Sequence, residues 1–136
     1  MTELYVKNNY GAKLVIMEGS NITAFPLDGR SEWPLGRYTG PATAESMVAI
    51  HSPIVSQRHG LLRKVDDAWS YINNPANTNG TLYNGIKITA PAGMAGKVRL
   101  YDGDILRIDS EGVHSNPNAV LMMYTTAPVE GHWARY

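Results

Sequence analysis

Four histidines, His51, His59, His114 and His132, are the residues best suited to metal ligation and to proton transfer near neutrality. None falls into an H-x-H or H-E-x-x-H spacing, so no strand or helix is set to present two of them to one ion. Asp102-Gly103-Asp104, with Asp109 downstream, holds carboxylates but lacks the ligand spacing of a calcium loop. A hairpin turn accounts for its Asp-Gly pair. Asp66-Asp67 reads as a helix cap rather than as a catalytic carboxylate pair. The chain has no cysteine, which excludes disulfides, thiolate metal sites and a cysteine nucleophile. There is no G-x-S-x-G motif, no P-loop spacing and no dinucleotide fingerprint after a strand. No metal, no cofactor and no enzymatic activity are therefore expected, and a small hydrolase is the weakest reading.

Aromatic residues say more. The chain has three tryptophans and eight tyrosines against one phenylalanine. Such amphipathic rings either fold back to cap a domain's own core or anchor a partner at an interface, where Trp, Tyr and Arg are enriched. Trp33, Arg37, Tyr38, Trp69, Trp133, Arg135 and Tyr136 are the candidate interface residues. Trp33, Tyr38 and Trp69, with the Asn-rich stretch Asn73 to Asn79, would also suit stacking on sugars, the carbohydrate-binding alternative.

The elements that must position these residues are short. Leu4 to Val6, Lys13 to Met17 and Ile22 to Leu27 alternate as strands, and residues 30–41 read as an ordered surface loop. Residues 42–52 satisfy helical and strand spacing alike, and a strand is expected from their β surroundings. Ile54 to Gln57 and Leu61 to Val65 read as a hairpin about Arg58-His59-Gly60, and Asp66 to Tyr71 as one capped helical turn. Thr81 to Thr89, Lys97 to Asp102 and Asp104 to Asp109 alternate with period two, which predicts an antiparallel meander with Ile86, Val98 and Leu100 buried. Ala119 to Thr126 is a strand buried on both faces. Turn residues every eight to twelve positions and no long helical pattern predict an all-β fold: one antiparallel β-sandwich, jelly-roll-like, over residues 1–136. Loop 30–41 and the tail 127–136 are its expected contact segments.

Composition sets outer bounds. With 136 residues and 43% hydrophobic content the chain can fill one core. Twelve basic and twelve acidic residues cancel, which argues against direct nucleic-acid binding. No stretch approaches the ~18 apolar residues of a membrane helix, and the opening residues lack a signal-peptide pattern.

Gly80, Leu82, Ile86, Ile88, Pro91, Gly96, Val98, Leu100, Tyr101, Asp102 and Gly103 together resemble the C-terminal half of small β-rich structural proteins of tailed bacteriophages. The resemblance spans roughly residues 80–125. It implies a non-enzymatic virion accessory subunit of the capsid decoration or cement type. Its partners would be capsid or other virion proteins, in a homo-oligomeric assembly, located in the virion and in the host cytoplasm during assembly. No membrane partner is expected, and a glycan only under the alternative.

Overall fold

The computed structural model describes residues 11–27, 29–110 and 116–128. These form strands β1 (Lys13–Glu18), β2 (Asn21–Pro26) and β3 (Glu32–Arg37), helix α1 (Pro41–Ser46), and strands β4 (Val48–Ile50), β5 (Gly60–Val65), β6 (Ala68–Asn73), β7 (Leu82–Tyr83), β8 (Ile86–Lys87), β9 (Lys97–Arg99), β10 (Ile105–Ile108) and β11 (Val120–Thr125). Two sheets face each other. One has the order β2-β1-β11-β10-β7-β8, the other β4-β3-β5-β6-β9. Pairing is antiparallel except between β3 and β4, which run parallel. The all-β sandwich expected from the turn spacing is the observed architecture.

Alternation explains the core. Leu14 and Ile16 on β1, Leu106 and Ile108 on β10, and Val120 and Met122 on β11 face Leu35, Val48, Ile50, Leu62, Trp69 and Tyr71 from the other sheet; none is more than 4% exposed. Each such aliphatic side chain contributes about 1.5–3 kcal/mol by leaving water. On the outer side of β1, Val15 packs with Ala24, Ile22 and Met123. The strand between two partners is thus buried on both faces, which is why Leu14 to Met17 is an unbroken apolar run.

Several expectations are corrected. The predicted meander is not continuous. Asn84 and Gly85 take φ of 49° and 87°, a two-residue hairpin turn that splits 81–89 into β7 and β8. Strand β9 leaves that sheet altogether and pairs with β6. The turn at Asp102-Gly103 therefore carries the chain from one sheet to the other. Ile86, expected in the core, is 74% exposed because β8 is an overhanging edge. Leu100 is buried and Val98 half-buried.

Asp66 and Asp67 do not cap a helix. They adopt φ of 51° and 62° and form the tight turn of the β5–β6 hairpin, in which Val65 pairs with Ala68. Aspartate tolerates this left-handed conformation better than most residues. That hairpin replaces the one expected about Arg58-His59-Gly60, and residues 54–57 are an irregular loop. Within 30–41, Glu32–Arg37 is a strand despite Pro34. Strand β4 joins only from Leu35 onward, so proline sits where one edge is unpaired. Residues 42–52 contain both readings in turn, α1 and then β4. The strand expected at Leu4 to Val6 lies outside the described residues.

Candidate functional site

His59 begins β5's approach and is fully buried. Its Nδ1 accepts the Ser56 amide at 3.1 Å, and its Nε2 lies 2.9 Å from the Gly80 carbonyl oxygen. An acceptor at Nδ1 and a carbonyl at Nε2 select the neutral ring carrying its proton on Nε2. Burial lowers the pKa from the ordinary value, against a smaller opposing effect of the Gly80 carbonyl. The imidazole is thus a neutral brace between loop 51–59, which joins β4 to β5, and loop 74–81, which joins β6 to β7.

Further bonds hold these loops together. The Thr78 amide donates to Ser56 Oγ at 3.1 Å, and Asn79 Nδ2 donates to the Ile54 carbonyl at 2.8 Å. Asn73 Oδ1 accepts from Tyr71 Oη, Asn77 Nδ2 and Thr81 Oγ1 at 3.1, 2.8 and 2.8 Å. This buried network makes the Asn-rich segment rigid rather than a loose surface loop. At the base of loop 51–59, the Glu18 carboxylate accepts the His51 and Ser52 amides at 3.0 and 2.8 Å, fixing the loop to the end of β1.

Strand β3 delivers the third component. A Cβ on Gly36 would lie 2.0 Å from the Gln57 carbonyl oxygen, so only glycine lets the loop lie against the strand. The next residue, Arg37, is bound to the same loop. Its amide donates to the Ser56 carbonyl at 3.0 Å, and its Nη1 lies 3.4 and 3.2 Å from the carbonyls of Pro53 and Val55. Tyr38 stacks at a tilt on His51, with ring centroids 4.6 Å apart. Arg37, Ser56 and Asn79 thereby gather at one end of the sandwich.

The sequence around them is electrostatically one-sided. No aspartate or glutamate lies between Glu45 and Asp66 or between Asp67 and Asp102, so neither loop carries a carboxylate. Ser56 Oγ is used as an acceptor, which leaves its hydroxyl hydrogen without an acceptor among the described residues. Asn79 Oδ1 likewise has no partner among them. Such an end offers a guanidinium, a hydroxyl and an amide to a ligand that is anionic and peptide-like.

The candidate interface residues divide. Arg37 and Tyr38 belong to this end. Trp69 is 3% exposed and is a core residue. Trp33 is half-buried: its Nε1 donates to the Leu27 carbonyl at 3.0 Å, its ring meets Phe25 edge-on at 5.0 Å, and Arg30 covers it at 4.0 Å. It is spent on its own domain. Trp133, Arg135 and Tyr136 lie outside the described residues. Among the described residues no three histidine, aspartate or glutamate side chains converge as a metal site. Sequence reasoning did not single out Ser56, weighed His59 only as a metal or proton-transfer candidate, and took Asn79 only as part of the Asn-rich stretch. The available signals were the Ser56-x-x-His59 spacing, the Asn79-Gly80-Thr81 run, and the absence of acids around both.

A β-sandwich that gathers polar and cationic side chains on the loops at one end is the frame of a loop-based recognition domain. The family model that matches the sequence is the FHA domain, over residues 33–109, and the chain belongs to this family. The match includes all three segments of the site. The FHA domain of CT664 protein from Chlamydia trachomatis superposes with a TM-score of 0.61 at 16% identity, over 84% of this chain and 95% of that one. An FHA domain from a study of phosphothreonine-dependent FHA domain interactions gives 0.61 at 19% identity, over 87% and 98%. Mycobacterium tuberculosis EmbR, in complex with a low affinity phosphopeptide, gives 0.63 at 17% identity, over 88% of this chain and 25% of EmbR. These identities speak for the fold. A sequence comparison with curated proteins gives no match.

The family overturns the phage resemblance. Residues 80–125 follow a strand-and-turn pattern that many β-sandwiches share, and it belongs here to an FHA domain. The capsid decoration or cement role, the virion location and the virion partners fall with it. No finding supports the carbohydrate-binding alternative. FHA domains are non-catalytic recognition modules.

Proposed function

We propose that this chain is a phosphothreonine-recognition module that binds a phosphorylated segment of a partner protein, with the described residues acting as one unit. The carrying observation is the gathering of Arg37, Ser56 and Asn79 at one end of the sandwich, on loops locked by buried His59 and free of carboxylates. The relatives studied with phosphothreonine and with a phosphopeptide support the reading.

The chemistry follows from the donors. A phosphothreonine carries close to two negative charges near neutrality and three acceptor oxygens. Arg37 supplies a guanidinium whose plane is already fixed by two loop carbonyls, so little entropy is lost on binding. Ser56 supplies its unused hydroxyl hydrogen. Asn79, anchored through Nδ2, presents Oδ1 to a backbone amide of the peptide. Phosphate is recognised by charge-assisted bonds and the chain by an amide pair, so the unphosphorylated segment keeps only the weaker part.

Fluorescence anisotropy with matched phosphothreonine and threonine peptides tests this. Binding should require the phosphate, and Arg37→Ala should weaken it by roughly ten- to a hundredfold, the cost of a hydrogen bond to a charged group. Equal binding of the two peptides would refute it.

A further inference from the structure

Beside the phosphate loops, on the side facing α1, lies a cavity of about 530 Å³ bounded by Pro34, Thr39, Thr43, Met47, Gln57 and Arg58. Arg37 lines it too, so the cavity adjoins the phosphate site. We propose that this cavity receives a second anionic group of the same peptide, a carboxylate or a second phosphate, and that Arg58 is the residue that selects it. The proposal rests on the phosphothreonine reading of the neighbouring loops.

The groups in the cavity define the ligand. Arg58 is exposed, and its guanidinium has no hydrogen-bond or ion-pair partner among the described residues. Its backbone is nevertheless held, because Asn74 Nδ2 donates to the Arg58 carbonyl at 2.8 Å. The Thr43 hydroxyl is already spent: it donates to the Gly40 carbonyl at 2.7 Å and accepts the Thr39 amide at 3.2 Å. The Thr39 hydroxyl has no such commitment among the described residues. The open donors are thus Arg58 and the Thr39 hydroxyl, and no carboxylate lines the cavity to neutralise them. Pro34 and Met47 supply an apolar wall for the stem of a long acidic side chain. The back wall cannot retreat, since the Gln57 carbonyl lies where a Gly36 Cβ would stand and the Met47 Cε would be 3.0 Å from it.

That adjacency also sets the spacing. An extended peptide advances about 3.3 Å per residue, so the second anion belongs one or two residues from the phosphothreonine. Two charges so close would repel in a free peptide. Here each would meet its own guanidinium.

The test uses the full chain and Arg58→Ala, with Arg58→Lys as the conservative variant, each first checked for an unchanged Tm. Peptides share one phosphothreonine and carry Gln, Leu, Glu or a second phosphothreonine one or two residues away on either side, and the Glu peptide is also made unphosphorylated. Glu or the second phosphate should bind about three- to thirtyfold tighter than Gln, an advantage that shrinks as salt rises from about 50 to 300 mM. Arg58→Ala should erase that advantage while leaving the Gln peptide within about twofold, and Arg58→Lys should restore part of it. Which of the two anions gains identifies the ligand. Equal binding of Gln, Glu and the doubly phosphorylated peptides, an advantage that survives Arg58→Ala, or a preference for Leu would overturn the proposal. Failure to distinguish phosphorylated from unphosphorylated Glu peptide would instead overturn the phosphothreonine reading, and this proposal with it.

Discussion

The Nε2 of His59 lies 2.9 Å from the carbonyl oxygen of Gly80, while its Nδ1 receives the amide of Ser56. A single buried ring thereby couples two loops from different parts of the chain without touching solvent or ligand. Replacing it leaves a partly buried N–H and a partly buried C=O without partners, and a void as well. His59→Ala should therefore destabilise the fold by roughly 2–4 kcal/mol and weaken phosphopeptide binding through the loops it no longer holds. Chemical denaturation read beside peptide titration checks both; a variant as stable as the parent would contradict the bracing role.

The same ring predicts a pH dependence. Its folded pKa lies below the ordinary 6.5 because burial disfavours the imidazolium. The unfolded chain then takes up the proton first. This contribution to stability is fully present above about pH 6.5 and is lost as pH falls from there through the folded value. Denaturant midpoints measured from pH 8 down to 5 should decline more in the parent than in His59→Gln. Parallel declines would assign the slope to other groups.

Gly36 offers a test confined to backbone packing. A methyl there would lie 2.0 Å from the Gln57 carbonyl, and that neighbour is main chain rather than a movable side-chain tip. Gly36→Ala should cost about 1–3 kcal/mol and displace loop 51–59. Loss of peptide affinity should exceed the loss in Arg58→Ala, since Ser56 moves with the loop. A fully stable Gly36→Ala protein would mean that the loop yields freely.

Much of this architecture was written locally, and what was missed was not. Alternation revealed β1, β2, β11 and the burial of Leu100, because each depends on its own strand's two faces. It misled at Ile86, whose exposure depends on β8 being an edge, a fact of topology. It also failed at Asp66-Asp67, where a left-handed turn was built without glycine. The Asn84-Gly85 turn, by contrast, carried a plain hairpin signal that period-two alternation masked. At the site, Arg37 and Tyr38 stood out as interface residue types. Ser56 and Asn79 are ordinary loop residues until the fold brings them together, and His59 shows its role only through what it bridges. Net charge also concealed the site, because twelve acids and twelve bases sum to zero while the loops themselves hold no acid.

Leu100 tests the core directly. It is 3% exposed just past the end of β9, before the chain crosses to the other sheet, and its amide donates to the Trp69 carbonyl at 2.9 Å. Truncation leaves that backbone bond possible and removes only packing. Leu100→Ala should cost roughly 2–5 kcal/mol in denaturant unfolding. A cost below about 1 kcal/mol would show that neighbouring residues collapse into the space.

The crossing that follows is closed by Tyr83 and Asp104. Tyr83 Oη donates to Asp104 Oδ2 at 2.6 Å, and the same oxygen accepts the Tyr101 amide at 2.8 Å. Asn84 Nδ2 donates to Oδ1 at 3.1 Å. Burial works against the Asp104 carboxylate, but these bonds together outweigh it and hold its pKa below the ordinary value. The bond to Asp104, more than burial, pushes the Tyr83 phenol up to about 12. The signs define a window. The Asp104 contribution is present above about pH 4 and is lost as pH falls through the lowered folded value. The Tyr83 contribution is complete below about pH 10 and is lost as pH rises through about 12. Tyr83→Phe should therefore destabilise the protein by about 1 kcal/mol across that window, with the difference from the parent narrowing at both extremes. Phenolate absorbance should also lose a component titrating near pH 12 in this variant. A stability difference that does not change with pH would show that Tyr83 acts through packing, and that the carboxylate bond does not fasten the crossing between the sheets.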